Sequence, residues 1–271
     1  MVKVLKNFFA LLSFLTPIPL PHRLRSNTLV FGSLYLLPII GLIRGLFTIL
    51  PLYILYIVDI DAPFLATFTV IAMHYIMQGF LHVDGFIDFS EAVLAYRFGV
   101  DAYRVVKDRY RGSYAIAIFV LFVLGLYSSI LSILIKTRPD ISIVLIISAE
   151  VWSIVSMPTL SYLGREPPEG IGRVFKHSVR DIDVFLGIAI AVALTIALMF
   201  SIHTTVVPLI MLLAVAFIIA VISTYVLSSK VLGFVNGDVL GFVSELCYLM
   251  VMTIHVIGVD LWIWIGFSLE I

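Results

Sequence analysis

The sequence predicts an all-α polytopic membrane protein with about seven transmembrane helices, and three observations support this. Only 13% of the 271 residues are charged, about half the fraction usual for a soluble domain. Mean hydropathy is +1.15, and several apolar runs reach the ~20 residues that a helix needs to cross a bilayer. The basic residues lie almost entirely in alternate loops, as membrane topology requires. A net charge of zero predicts no nucleic acid partner.

The elements follow in order along the chain. Lys3 and Lys6 beside several phenylalanines and leucines predict an interfacial helix within residues 1–25, ended by the prolines of TPIPLP; a short inserted helix is the alternative. The last span is long enough to tilt or to break near Asp260. No repeat or linker divides the chain, so residues 1–271 are predicted to form a single integral membrane domain. The candidate spans are 31–57, 62–81, 112–136, 140–163, 184–202, 205–228 and 239–267.

Loop charge predicts the orientation of the chain in a cell membrane. Fourteen of the 17 Lys and Arg lie in the N-terminal segment and the loops on its side, whereas only Lys136 and Arg138 lie on the other side; Arg44 falls inside the first span. The excess of basic residues places the N-terminus and the long loops in the cytoplasm, and an odd number of spans places the C-terminus outside. Every polar segment discussed below then lies on one cytoplasmic face, where separate loops can form one site.

The stretch GFLHVDGFIDFSEA, which follows the second span, carries three acidic residues at helical spacing. Asp84, Asp88 and Glu91 are spaced i, i+4 and i+7, so a helix would place them on one face. Three carboxylates there repel one another unless a cation holds them, and oxygen ligands suit Mg²⁺ or Mn²⁺. Gly85 leaves room for a close approach, and His82 could orient a carboxylate or contact a phosphate. The alternative is a solvated helix start that Asp84 caps.

A basic segment, VVKDRYRGSYAIA, leads directly into the third span. Lys107, Arg109 and Arg111 could clamp phosphate oxygens, and the helix that starts near Gly112 and Ser113 could add backbone donors. The alternative is ordinary anchoring of a cytoplasmic loop by its positive charges.

Two further polar segments complete the candidate site. Arg165 and Arg173 lie in GREPPEGIGRVFKHSVRDID, which could fold over a phosphate-bearing substrate or be an ordinary loop. In LGFVNGDVLGFVSELC, Asn236 belongs to a turn signal, and Asp238 and Glu245 are seven residues apart, so they share a helix face. Glu245 would lie about two turns into the membrane, where a charge is costly without a partner, and a buried structural hydrogen bond is the alternative role.

These motifs together resemble the cobalamin synthase family, the adenosylcobinamide-GDP ribazoletransferases. The resemblance rests on FLTPIPLP and LLPIIGLIRG, then on GFLHVDGFIDFSEA, KDRYRGSY, EGIGRVF and NGDVLGFVSEL, in that order along most of the chain. The sequence departs from the family at Glu91, where an Asp is usual. It also has Tyr110 where the family has an Arg, and in this chain Arg109 and Arg111 flank that tyrosine. It also lacks an Arg in AEVWSIV and has Tyr248 where a second Glu is common.

The resemblance implies a phosphotransfer late in cobalamin biosynthesis. The family joins adenosylcobinamide-GDP to α-ribazole, or to its 5′-phosphate, and releases GMP. It implies Mg²⁺ on Asp84, Asp88 and Glu91, with Asp88, Lys107 and His82 as catalytic residues. The residues expected to contact the substrates are Arg109, Arg111, Ser113, Arg165, Arg173, Asn236, Asp238 and Glu245.

Three other interpretations remain open at this stage. A CDP-alcohol phosphotransferase also uses membrane-edge aspartates, but Asp84-Gly85 lacks the following Arg of that signature. A cation-coupled transporter could use Asp84, Asp88, Glu150 and Glu245 as a relay, although these residues mostly cluster at one membrane face and no repeat is visible. A scaffold would leave the convergent motifs unexplained. The expected partners are small-molecule substrates and membrane lipid, and a homo-oligomer is compatible with the sequence.

Overall fold

The computed structural model describes residues 2–21, 31–107, 112–202 and 206–264, and these ranges contain helices and loops but no strand. This confirms the all-α prediction. The helices in chain order are α1 (Val2–Leu15), α2 (Leu37–Thr48), α3 (Leu50–Ile57), α4 (Pro63–Met77), α5 (Leu81–Arg97), α6 (Ala102–Val106), α7 (Ser113–Lys136), α8 (Pro139–Leu163), α9 (Ile171–Ser178), α10 (Asp181–Ser201), α11 (Val206–Val231) and α12 (Gly237–Trp264).

Helix α8 is the central element of the fold. Its most apolar stretch is 94% buried, and α2, α10, α11 and α12 pack around it. In contrast, the corresponding stretches of α7, α10 and α11 are only 22–39% buried. Their outer faces carry exposed apolar side chains such as Leu121 (69% exposed) and Phe185 (70% exposed). Apolar helices around a buried central helix are what a protein dissolved in lipid needs, because a bilayer does not exclude apolar side chains.

The number of spans agrees with the prediction of about seven. Within the described residues, six helices or helix pairs are long and apolar enough to cross a membrane, and α4 with α5 makes a seventh if that bent pair counts as one span. The first span, Leu34–Ile57, consists of a 3₁₀ turn, α2 and α3, with a junction at Ile49 just before Pro51. Helix α12 runs unbroken past Asp260, whose carboxylate accepts a bond from Lys136 at 2.6 Å.

The predicted span 62–81 corresponds to α4, but the helix ends at Met77, and the chain turns by 92° before α5. Two backbone bonds end α4: Gly79 N donates to Ile76 O at 2.9 Å, and Phe80 N donates to Tyr75 O at 3.2 Å. These two bonds form a Schellman motif, which needs a left-handed residue after the helix, and Gly79 has φ +59°. Phe80 is also left-handed, with φ +59°, and it starts α5 in a new direction.

Helix α1 lies within the predicted N-terminal segment, 1–25. It has 14 residues, too few to cross a bilayer. Leu11 and Leu15 are buried in the core, whereas Val4 and Leu5 are exposed. One face of α1 therefore packs against the protein, and part of the opposite face is exposed. Phe14 of α1 contacts Phe31 edge to face at 5.2 Å, and Phe31 contacts Phe175 of α9 at the same distance. Helix α1 therefore lies at the same end of the bundle as α9.

Candidate functional site

A cavity of about 300 Å³ lies where the first turn of α5, helices α6 and α9, the loop before α9, and the start of α12 meet. Segments that are far apart in the sequence therefore converge, as the loop topology predicted. Five of the predicted site residues line this cavity: His82, Asp84, Lys107, Asn236 and Asp238.

Two carboxylates of the cavity wall, those of Asp84 and Asp238, come from helices in very close contact. A Cβ placed on Gly85 would lie 2.9 Å from both the Cα and the carbonyl oxygen of Asp238, so only glycine allows α5 to approach α12 this closely. Asn236 caps α12 by accepting a bond from Val239 N at 3.1 Å, and its amide donates to Asp238 Oδ2 at 2.7 Å. Asp84, on the exposed side of α5, and Asp238 therefore face one cavity from two rigid helix starts.

His82 is 3% exposed and joins the same two helices. Its Nδ1 lies 3.1 Å from Ser244 Oγ on α12, and its carbonyl oxygen would lie 2.9 Å from a Cβ on Gly241. The imidazole is thus fixed by α12, and His82 is one of the residues that line the cavity. A fixed imidazole can serve as a hydrogen-bond partner or a proton acceptor for a bound substrate.

The remaining residues of the predicted acidic stripe, Asp88 and Glu91, do not line the cavity. Helix α5 is continuous from Leu81 to Arg97, which confirms the helical spacing of Asp84, Asp88 and Glu91. Asp88 is 6% exposed and does not line the cavity, and Glu91 Oε1 accepts a bond from Gly112 N at 2.8 Å, just before α7. Among the described residues, no group of three or more His, Cys, Asp or Glu is placed to hold a metal ion.

Lys107 crosses the cavity mouth to the loop before α9. Its Nζ donates to Glu169 Oε1 at 2.5 Å, and Tyr103 OH donates to the same oxygen at 3.1 Å. The hydrogen bond with Lys107 lowers the pKa of Glu169, and the same bond raises the pKa of Lys107. Arg109 and Arg111 lie outside the described residues, and Ser113, the first residue of α7, is exposed.

The two predicted arginines of the α8–α9 segment do not line the cavity. Arg165 is exposed, and its carbonyl oxygen accepts a bond from Val235 N at 3.0 Å. Arg173 pairs with Glu166 at 2.5 Å and donates to Pro168 O at 3.0 Å, so it stiffens its own loop. The glycines of this segment do reach the site: a Cβ on Gly172 would lie 2.6 Å from Gly237 N.

Glu245 lies in a buried ion cluster, away from the cavity lining. Arg44 Nη2 lies 2.8 Å from Glu150 Oε2, and Glu150 Oε1 lies 2.6 Å from His74 Nδ1. His74 Nε2 faces Glu245 Oε2 at 3.5 Å. All four side chains are at most 1% exposed, and Thr48 adds a bond to Glu150 Oε1 at 3.0 Å.

Sequence reasoning missed this cluster. A signal was present, because Arg44, His74, Glu150 and Glu245 each interrupt an apolar run, and charges inside a membrane need partners. The pairing itself could not be derived, because Arg44 and Glu150 are far apart in the sequence and many helix arrangements would be compatible with it.

The donor set of the cavity fits a hard divalent cation. Asp84 and Asp238 present carboxylates, and Asn236 can offer an amide oxygen once its side chain reorients. Mg²⁺ is commonly held by one or two carboxylates, with waters and substrate phosphates completing an octahedron. The described wall also carries three carboxylates, of Asp84, Glu169 and Asp238, against one ammonium group. A phosphate-bearing ligand would need additional positive charge there.

Aromatic rings form another part of the cavity wall. Phe31 contacts both Phe14 and Phe175 edge to face, each at 5.2 Å between ring centroids. Tyr103 contacts Phe234 at 5.6 Å, and all five rings line the cavity. The wall therefore offers flat apolar surfaces as well as charged groups, a combination suited to a ligand with both a ring system and phosphates.

Comparison with known proteins gives a consistent family. The family model described as Cobalamin-5-phosphate synthase matches residues 7–256. A protein of Clostridium perfringens (strain SM101 / Type A) named adenosylcobinamide-GDP ribazoletransferase is 32% identical over 242 residues, covering 87% of this chain and 91% of the relative. Proteins with the same name from Alkaliphilus oremlandii and Archaeoglobus fulgidus are 26% and 27% identical, covering 92% and 90% of this chain and 96% and 94% of the relatives.

No solved structure matches this chain. The family match spans nearly the whole chain, and the relatives align over almost their full length. The chain therefore belongs to the cobalamin-5-phosphate synthase family.

Proposed function

We propose that this protein is an adenosylcobinamide-GDP ribazoletransferase, a membrane transferase that joins adenosylcobinamide-GDP to α-ribazole or its 5′-phosphate and releases GMP. The observation that carries the proposal is one cavity lined by residues of five separate family-like motifs. Family membership and the names of the relatives give the reaction. Exposed apolar faces of the outer helices support a location in membrane lipid.

The reaction is a displacement at phosphorus. A hydroxyl oxygen of the ribazole forms a bond to the phosphorus that carries the cobinamide, the bond from that phosphorus to the bridging oxygen breaks, and GMP leaves with that oxygen. Such a reaction depends on positioning and on stabilising charge on the phosphate oxygens. Lys107 lines the cavity and is exposed enough to move from Glu169 to a substrate phosphate. His82 lines the cavity as a fixed imidazole that could take the hydroxyl proton.

A bound Mg²⁺ would neutralise the pyrophosphate and make its phosphorus more electrophilic. We propose Asp84 as its principal ligand, with Asp238 across the cavity as the second carboxylate. Asp88 lies one helical turn after Asp84 on α5. From there its carboxylate could move to become a further metal ligand, or it could accept the hydroxyl proton. Glu91 could serve as a ligand only after giving up its bond to Gly112 N.

The test supplies adenosylcobinamide-GDP and α-ribazole, or its 5′-phosphate, to the purified protein in lipid with Mg²⁺. We expect a cobalamin product and equimolar GMP, loss of both after EDTA treatment, and recovery with added Mg²⁺ or Mn²⁺. Absence of product together with release of CMP from a CDP-alcohol would overturn the proposal.

Matched variants separate the site from general effects of charge. We expect Asp84→Asn to lose at least about a hundredfold in kcat, because removal of preorganised transition-state stabilisation has that size. Asp181→Asn, an exposed aspartate in the first turn of α10, is the control and should keep its activity. Undiminished activity of Asp84→Asn would exclude Asp84 as a metal ligand.

A further inference from the structure

The buried ion cluster of Arg44, His74, Glu150 and Glu245 lies next to the bend that carries the catalytic residues. His74 belongs to the last turn of α4, and Gln78, which caps that helix, places its side-chain amide 2.6 Å from His74 Nε2. The Schellman motif and the 92° turn follow at once. The cluster therefore contacts the last turn of α4, directly before the chain changes direction.

One face of α12 contacts both arms of this bend. Towards its centre, the ring of Tyr248 stacks on His74 at 3.9 Å between centroids, and Glu245 faces His74 Nε2 at 3.5 Å. Ser244, directly before Glu245, and Gly241, one turn earlier, contact His82. These positions recur at helical spacing, so a single surface of α12 sets where α4 ends and where α5 begins.

At its outer end the same face of α12 meets the cavity. Asp238 lies against Gly85, one residue beyond Asp84. The path from the cluster to the cavity is thus continuous, and it consists of direct contacts between α12 and the two arms.

The charges of the cluster make this arrangement stiff. His74 has a carboxylate oxygen near each ring nitrogen, so the imidazolium form fits, and the four groups then comprise two cations and two anions. Separating any pair inside a membrane would leave a buried charge without a partner, which is strongly unfavourable. A turn of Gln78 that directs its amide oxygen to the ring would let His74 Nε2 donate to it.

We infer that His74, held between Glu150 and Glu245, is a positioning residue for the transfer reaction: it fixes the α4–α5 bend that presents His82 and Asp84 to the cavity. This role rests on the proposed function, because His74 does not line the cavity and acts through other residues. Apolar side chains could pack the same four helices without buried charges. The positioning role therefore explains why charged residues lie there.

The first experiment compares His74→Leu with His255→Leu. His255 is a matched control, because it is a fully buried histidine of α12 that lies outside the ion cluster and whose Nδ1 bonds to the backbone oxygen of Val251 at 2.7 Å. We expect His74→Leu to lower kcat roughly ten- to a hundredfold, the size of effect of a small misplacement in an active site. The KM values for both substrates should change less than about threefold, and the kcat of His255→Leu should change less than about twofold.

The second experiment measures the bend itself and does not depend on activity. Nitroxide labels at Phe68→Cys on α4 and Tyr96→Cys on α5 report the distance between the arms; both positions are exposed, and Cys247 is fully buried and should stay unlabelled. We expect a shifted or broadened distance distribution in His74→Leu and an unchanged one in His255→Leu. If His74→Leu does not accumulate, Glu245→Gln, which keeps the side-chain volume, is judged by the same two criteria.

The outcomes separate the two hypotheses. Wild-type protein without transferase activity would overturn the proposed function, and the distance measurement would still decide whether His74 fixes the α4–α5 bend. An unchanged distance in His74→Leu, or an equal loss of kcat in both histidine variants, would overturn the positioning role.

Discussion

At the scale of single residues, the site depends on glycines as much as on charged groups. Gly85 brings the backbone of α5 against Asp238, and Gly172 brings α9 against Gly237. An added methyl group at either place would meet backbone atoms, which cannot rotate aside as a side chain can. The distance between the cavity walls therefore depends on glycines, which have no functional side chain.

Gly85→Ala tests this dependence. A Cβ there would lie 2.9 Å from the Cα of Asp238, so α5 and α12 must separate and the two carboxylates must move apart. We expect kcat/KM to fall roughly ten- to a hundredfold. Gly125→Ala is the control, because its Cβ would have Leu249 Cδ1 at 3.9 Å as its nearest neighbour. Equal activity of the two alanine variants would show that this helix contact does not set the site.

The Lys107–Glu169 pair predicts a second residue-scale result. The pKa of Glu169 is lowered, so its contribution is complete above its ordinary value of 4.5 and is lost only as the pH falls through the lowered pKa. The pKa of Lys107 is raised, so its contribution is complete below 10.5 and is lost as the pH rises through the raised pKa. The pair therefore stays intact between these two ordinary values and cannot act as a switch near neutral pH.

Glu169→Gln should free Lys107 for a substrate phosphate. We expect the KM for adenosylcobinamide-GDP to fall severalfold, and the ratio of the wild-type to the variant KM to stay constant from about pH 6 to about pH 9. Steady-state kinetics at several pH values measure this ratio. A ratio that changes steeply within this range would mean that another titrating group controls Lys107.

At the scale of elements, the ion pair of Arg44 on α2 with Glu150 on α8 should stabilise the fold only when both charges are present. Arg44 and Glu150 are both fully buried, 2.8 Å apart. We expect Arg44→Met alone and Glu150→Met alone each to cost about 3–5 kcal/mol, because each leaves an uncompensated buried charge. The double variant leaves His74 and Glu245 as a balanced pair, so it should be more stable than either single variant. Denaturant titration of all four proteins in one detergent gives the coupling free energy, and strictly additive losses would contradict it.

The sequence predicted most helices closely, because long apolar runs are bounded by charged or turn-forming residues. Span 112–136 corresponds to Ser113–Lys136, and span 140–163 corresponds to Pro139–Leu163. The angle of the α4–α5 bend was not predicted, because Gly79 is the only glycine in residues 77–81 and a single glycine does not give the angle between two helices.

For the candidate site, the cavity lining agrees with the predicted convergence of segments where a residue lies at the start of a helix. His82, Asp84 and Asp238 are of this kind, and they meet because the loops on one face are close together. Glu245 shares a face of α12 with Asp238 and lies two turns deeper, as the sequence predicted, but it belongs to the buried ion cluster and not to the cavity lining. Helical spacing alone gives the face and not the depth at which a site ends.

At the scale of the whole molecule, the two ends of the helix bundle differ in chemistry. One end holds the cavity and the segments with most of the basic residues, and the other holds the α7–α8 turn, where Lys136 pairs with Asp260 and Arg138 pairs with Asp140. The excess of basic residues predicts that the cavity faces the cytoplasm. A charged nucleotide substrate formed in the cytoplasm would then reach the site without crossing the bilayer.

Cysteine accessibility decides this orientation with a matched pair of positions. Arg138 and Arg173 are 45% and 51% exposed, each beside an acidic partner, and they lie at opposite ends of the bundle. Cys247 is fully buried, so a background reaction is not expected. In intact cells, a membrane-impermeant maleimide should label Arg138→Cys and should spare Arg173→Cys until the membrane is opened. The reverse pattern would place the cavity outside the cell, and a cytoplasmic GMP-releasing reaction would then be untenable for this chain.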